Sequence, residues 1–239
     1  MKRIAFRLSL GLGLLLAVAS PASAAIVPAS AGAPEMVRTA LYLSMLAFLP
    51  AIVICMTSFI RTVIVLAMVR HAFGMPETPP NAVLVALALF LTAFTMSPVI
   101  DRIKTDAYEP YMAGRIDTAQ ALESGSAPLR DFMLAQTRDS DIESIYAISK
   151  TPVPERAEDV EVLKLAPAFL LNELRVSFTI GFMILLPFLI IDLVVSAILL
   201  SLGMMMVPPS TISLPIKLLM FVLIDGWRLV IEGVLGSFR

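Results

Sequence analysis

Six ionisable side chains stand inside apolar sequence: Arg61, Asp192, Lys217, Asp225, Arg228 and Glu232. Such groups are costly in lipid and face protein or a water-filled cavity. Three are cations and three are anions, a balance that points to mutual pairing. On an uninterrupted helix, at about 100° per residue, Lys217, Arg228, Glu232 and Asp225 fall at roughly 0°, 20°, 60° and 80° on one stripe. Asp225–Arg228 and Arg228–Glu232 are then spaced i,i+3 and i,i+4 and can pair within the helix. Lys217 needs a partner elsewhere, for which Asp192 of the preceding apolar segment is the candidate. Three readings are open at this point: pairs satisfied within a bundle, pairs across a subunit interface, or a proton or ion relay.

Enzymatic chemistry finds little support. Asp192 and Asp225 invite an intramembrane aspartyl protease, but an arginine one turn from Asp225 holds the carboxylate ionised, against the shared proton of an aspartyl dyad. "LIDGWR" (223–228) also lacks a glycine-framed aspartate. Ser196, Ser201 and Ser213 have no histidine to activate them, because the single histidine, His71, stands beside a turn. The single cysteine, Cys55, excludes a disulfide within the chain. One cysteine and one histidine make no metal cluster without other ligand types. Neither a cofactor nor a metal is expected, and His71 and Cys55 read as structural. A net charge of −1 gives no sign of nucleic-acid binding.

The elements that must position these charges are those of an integral membrane protein. Of the 239 residues, 58% are hydrophobic and 15% charged, and the mean hydropathy is +0.88. A soluble core of this size could not hide so much apolar surface. Residues 1–25 read as a cleaved secretory signal: Lys2, Arg3 and Arg7, a short apolar stretch at 8–20, then "ASAA" at 22–25. An uncleaved first transmembrane helix is the rival, weakened by Gly11, Gly13 and Pro21. Residues 26–39 would be a flexible mature N-terminus.

Four apolar segments follow, arranged as two bent helical hairpins. Residues 40–68 are interrupted by Pro50 and Arg61, and 81–100 carry no charge; "GMPETPPN" (74–81) turns between them, so 40–100 form the first hairpin. Residues 165–202 and 212–235 form the second, within 165–239. The polar block at 101–164, with 13 acidic and 8 basic residues, reads as helical. Ser126 is expected to cap one helix with Pro128 in its first turn, and Asp139 or Ser140 the next. "TPVPE" (151–155) ends that second helix. A block this small reads as a packing module. With the signal removed, four crossings put the block on the periplasmic side and both hairpin turns in the cytoplasm, a placement the charge bias supports weakly.

Between the last two segments, where a short polar loop is usual, stands "LGMMMVPPST" (202–211). It holds three methionines and two prolines and no charge. Its residues alone read most simply as a hairpin turn packed on its neighbours.

Four stretches closely resemble the FliP family: "MTSFIRTVIVLAMVRHAFG" (56–74), "NAVLVALALFLTAFTMSP" (81–98), "MSPVIDRIKTDAYEPY" (96–111) and "FLIIDLVVSAILLSLGMMMVPPSTISLPIKLLMFVLIDGW" (188–227). The resemblance covers most of 41–238. It implies an all-α membrane protein that joins further copies of itself, FliQ and FliR in the pore of the flagellar type III export gate. FlhB and FlhA would be neighbours and unfolded flagellar proteins the cargo. It implies bent hairpins, partly above the bilayer plane, whose spans face other subunits. It gives Met204, Met205 and Met206 the role of a gasket in the pore, with Gly203, Pro208 and Pro209 shaping the loop. The family usually has an uncharged polar residue at the place of Arg228 and a small one at that of Glu232, so this pair reads as a local compensation. The injectisome homologue is the near alternative, although such proteins generally begin at the first apolar segment. A small proton-coupled transporter using Lys217, Asp192 and Asp225 is the distant one, but it would be expected to show an inverted repeat, and none is visible.

Overall fold

The structure is a computed structural model, and it describes residues 37–44, 47, 54–74, 77–154 and 156–238. The expected signal sequence lies outside the described residues. The chain divides into two units, Met1–Ala51 and Ile52–Arg239. In the first, residues 37–44 are helical, and Arg38 Nε donates to Tyr42 Oη one turn on (3.2 Å).

The described residues of the second unit form helices joined by turns and loops, without a strand. Helix α1 spans Phe59–Ala72 and buries Arg61, Thr62, Val65, Leu66, Val69 and Ala72, a stripe at helical spacing. It ends at Gly74, whose φ of 74° lies in the left-handed region that glycine enters without a steric cost. Helix α2, Asn81–Ile103, starts directly after Pro80 and buries Leu84, Ala88, Thr92, Met96 and Val99. Phe90 and Phe94 stand exposed away from that stripe. A π-helical turn, Lys104–Tyr108, carries α2 into the short α3, Glu109–Met112. The helix therefore continues past the end of the apolar run and into the polar block.

Within that block α4 spans Thr118–Gln136 and α5 spans Asp139–Ile148. The start of α4 differs from the expectation. A capping box sets it: Asp117 Oδ1 accepts from the Gln120 amide (2.8 Å), and Gln120 Oε1 accepts from the Asp117 amide (3.2 Å). The helix then runs straight through Ser126 and Pro128, neither of which starts anything. Packing overrides the proline here, for Pro128 is buried. The cap of α5 is also corrected: Arg138 holds the N-cap position without a side-chain bond, and Asp139 lies in the first turn, where a carboxylate suits the helix dipole.

Helix α6, Val162–Ser201, is 40 residues long and continuous. At 1.5 Å per residue it reaches about 60 Å, roughly twice a hydrocarbon core. One end of it, Leu165, Ala168 and Phe169, packs with Met133, Ile142, Tyr146 and Val160 of the polar block. Its middle, at Phe188, belongs to a second core with Val65, Leu66, Val69, Phe73, Leu84, Phe221, Val230 and Val234. Phe73 meets Phe188 and Phe221 edge-on at 5.3 and 4.7 Å. One helix thus runs through both cores. The helical run Asn81–Met112 and α6 are each long and apolar enough to cross a membrane.

The last apolar segment is two helices, α7 (Pro209–Leu223) and α8 (Gly226–Leu235). Asp225 between them takes φ 53° and ψ 53°, a left-handed conformation that aspartate tolerates better than most side chains. Gly226 lets the chain fold back on Phe221, since a Cβ there would sit 2.1 Å from that ring. The single charged stripe expected across Lys217–Glu232 therefore does not exist, because the helix on which it was drawn is broken between its charges.

Candidate functional site: buried charges and an exposed methionine loop

Two of the apolar-segment cations are buried against carboxylates of α6. Arg61 is 1% exposed and Glu173 0%. Arg61 Nε donates to Glu173 Oε2 at 2.8 Å, and Nη2 to Glu173 Oε1 and to Gln136 Oε1. Nη1 donates to the Ser237 carbonyl at 2.8 Å. The guanidinium thus uses its planar fork on three elements at once. A cavity of about 480 Å³ lies beside it, bordered by Gln136, Asn172 and Ser237. Asn172 donates to the Gln136 carbonyl.

Lys217 is the second. Its Nζ donates to Asp192 Oδ2 at 2.5 Å and to the Ala72 carbonyl at the end of α1 at 3.2 Å. Ser213 adds a side-chain hydrogen bond to Asp192. The ammonium thereby ties α7, α6 and the end of α1 together. Helix α1 is held to α6 near both of its ends, by Arg61 at one and through Lys217 at the other.

The remaining three charges lie apart from these. Arg228 Nε donates to Glu232 Oε1 at 2.7 Å on the exposed side of α8. Asp225 is exposed at the α7–α8 break, and its carbonyl, rather than its carboxylate, accepts from the Leu229 amide. Sequence reasoning missed Glu173, which stands among Leu170, Leu171 and Leu174 as a carboxylate without a local partner. That isolation was the available signal, since Arg61 also had no partner. It missed the Arg175–Asp141 pair as well, which is bidentate at 2.7 and 2.8 Å and joins α6 to α5. Among the described residues no group of three or more His, Cys, Asp or Glu side chains could hold a metal ion.

The loop after α6 is shaped by its backbone. Gly203 takes φ 73°. Its amide donates to the Leu200 carbonyl (3.1 Å) and the Met204 amide to the Leu199 carbonyl (2.9 Å), the two bonds of a Schellman ending. Pro208 and Pro209 then start α7, where a missing N–H costs nothing and the fixed φ suits the first turn. Between these two fixed ends Met204, Met205 and Met206 are 43, 79 and 94% exposed. Met205 and Met206 in particular are large apolar side chains on a loop tip that the described residues leave largely uncovered.

Comparison with known proteins agrees with the resemblance. The FliP family model matches residues 42–234. The flagellar biosynthetic protein FliP of Pectobacterium carotovorum is 49% identical over 84% of this chain and 78% of its own. That of Caulobacter vibrioides is 40% identical over 94% of this chain and 90% of its own. The protein of the same name from Buchnera aphidicola subsp. Baizongia pistaciae is 47% identical over 84% of this chain, which spans only 56% of that longer relative. On a match that covers both cores, α6 and the methionine loop, this chain belongs to the FliP family.

Proposed function

We propose that this chain is a pore-forming subunit of the flagellar type III export gate, passing unfolded cargo across the bacterial inner membrane. Several copies surround the passage together with FliQ and FliR, next to FlhB and FlhA. The polar block lies on the periplasmic side, and 40–100 and 165–239 act as two bent hairpins around it. The observation that carries this reading is the exposed Met204–Met206 tip on a loop fixed at both ends, in a chain of this family. Methionine is flexible and polarizable and adapts to irregular surfaces. Rings of such side chains make a constriction that dewets when idle, yet yields to chains of varied shape. The buried Arg61–Glu173 and Lys217–Asp192 pairs serve to hold α1, α6 and α7 in register behind the loop. They read as structural ties, since each cation bonds a carboxylate of α6 and also a backbone carbonyl of a further element. The flagellar relatives favour the flagellar over the injectisome branch.

Purification from cells co-expressing FliQ and FliR, with native mass measurement, tests the assembly. A complex holding more than one copy of this chain with both partners is expected. A chain that stays monomeric with all partners present counts against the pore.

A further inference from the structure

The residues after α8 form an unassigned contact. Arg61 Nη1 donates to the Ser237 carbonyl at 2.8 Å and to Ser237 Oγ at 3.1 Å. The guanidinium also lies over the Phe238 ring, 3.9 Å from its centroid. The same ring stacks near Phe132 of α4, with centroids 6.4 Å apart and planes 28° from parallel. Phe238 therefore sits between α1 and the polar block. Both Ser237 and Phe238 fall beyond the last residue that the family model matches.

Helix α8 has little stability of its own. It has ten residues, fewer than the roughly 12–15 that a helix needs to be even marginal alone. At its start the chain passes through the left-handed Asp225, so α7 does not extend into it as a rigid rod. Its inner face contributes Val230 and Val234 to the core, while Arg228 and Glu232 pair on the outside. Release at Ser237–Phe238 would leave α8 held only by Val230, Val234 and the close approach of Gly226 to Phe221, and able to loosen about Asp225.

We infer that Ser237 and Phe238 form a latch that closes α8 over the Arg61–Glu173 pair and couples the last helix to the polar block. The cation–π contact is its specific component, because the ring face meets a guanidinium already held by Glu173. The latch makes Asp225 a hinge that is normally shut, and it lies on the side of α7 away from the methionine loop.

Hydrogen exchange on the purified full-length chain tests this, comparing Phe238→Ala, Phe238→Leu and Phe238→Tyr. Amides of 226–236 should exchange about tenfold faster in the alanine and leucine variants, while α1 and the middle of α6 stay as in the parent. Tyrosine keeps the ring face and should restore the parental rate. Unchanged exchange with alanine, parental exchange with leucine, or an equal rise through α1, α6 and α8 would each overturn the latch.

Discussion

A guanidinium removed from water needs every donor used, and Arg61 achieves this with Glu173, Gln136 and Ser237. Removing one member of a buried pair strands the other, at a typical cost of about 3–5 kcal/mol, whereas replacing both with apolar groups costs less. Glu173→Ala should therefore destabilise the purified protein strongly. Arg61→Met with Glu173→Leu should lose clearly less than the two single changes added together. Detergent-solubilised unfolding curves measure this, and additive losses would mean that the two side chains act independently. Arg61 and the Lys217–Asp192 pairing could be read from charge balance in apolar sequence. The Arg61–Glu173 pairing could not, because it joins residues 112 apart in the chain, a distance on which local spacing is silent.

The α7–α8 break carries the element-scale argument. A side chain at φ 53° is tolerated when it is Asp or Asn, free when it is Gly and costly when β-branched. Asp225→Gly should keep the assembled yield close to the parent, and Asp225→Val should lower it, by about 1–2 kcal/mol of stability per chain. Arg228→Ala with Glu232→Ala, on the outer face, should matter far less, since exposed pairs are worth about 0–1 kcal/mol. Complex yield in mild detergent is the readout, and equal yields for Asp225→Val and the double variant would contradict the break. Long apolar helices were legible from run length alone, as α2 and α6 show. The break carries a weaker signal, the turn-type dipeptide Asp225-Gly226, which the apolar run on either side of it masks. The start of α4 is legible in "DTAQ" (117–120), which carries the capping pattern, whereas Ser126 and Pro128 imitate a helix start inside a helix that is already under way.

At the scale of the whole molecule, α2 and α6 present long apolar faces that the described residues leave exposed, from Phe90 and Phe94 to Phe178, Phe182, Leu193 and Ile198. Contiguous exposed apolar surface of this kind is covered by lipid or by other chains. In the proposed gate, several copies would use it for both and would bring the methionine tips to one level. The central claim is that these tips seal the idle pore. Ion conductance of cells or vesicles bearing the assembled gate, matched for the amount of complex, tests it most directly with Met204, Met205 and Met206 all changed to alanine. The shortened side chains leave α6, Gly203 and Pro208–Pro209 untouched, so the complex should assemble and its closed state should leak, with single substitutions milder because neighbouring methionines repack. A triple-alanine gate that assembles normally and conducts no more than the parent would contradict the seal.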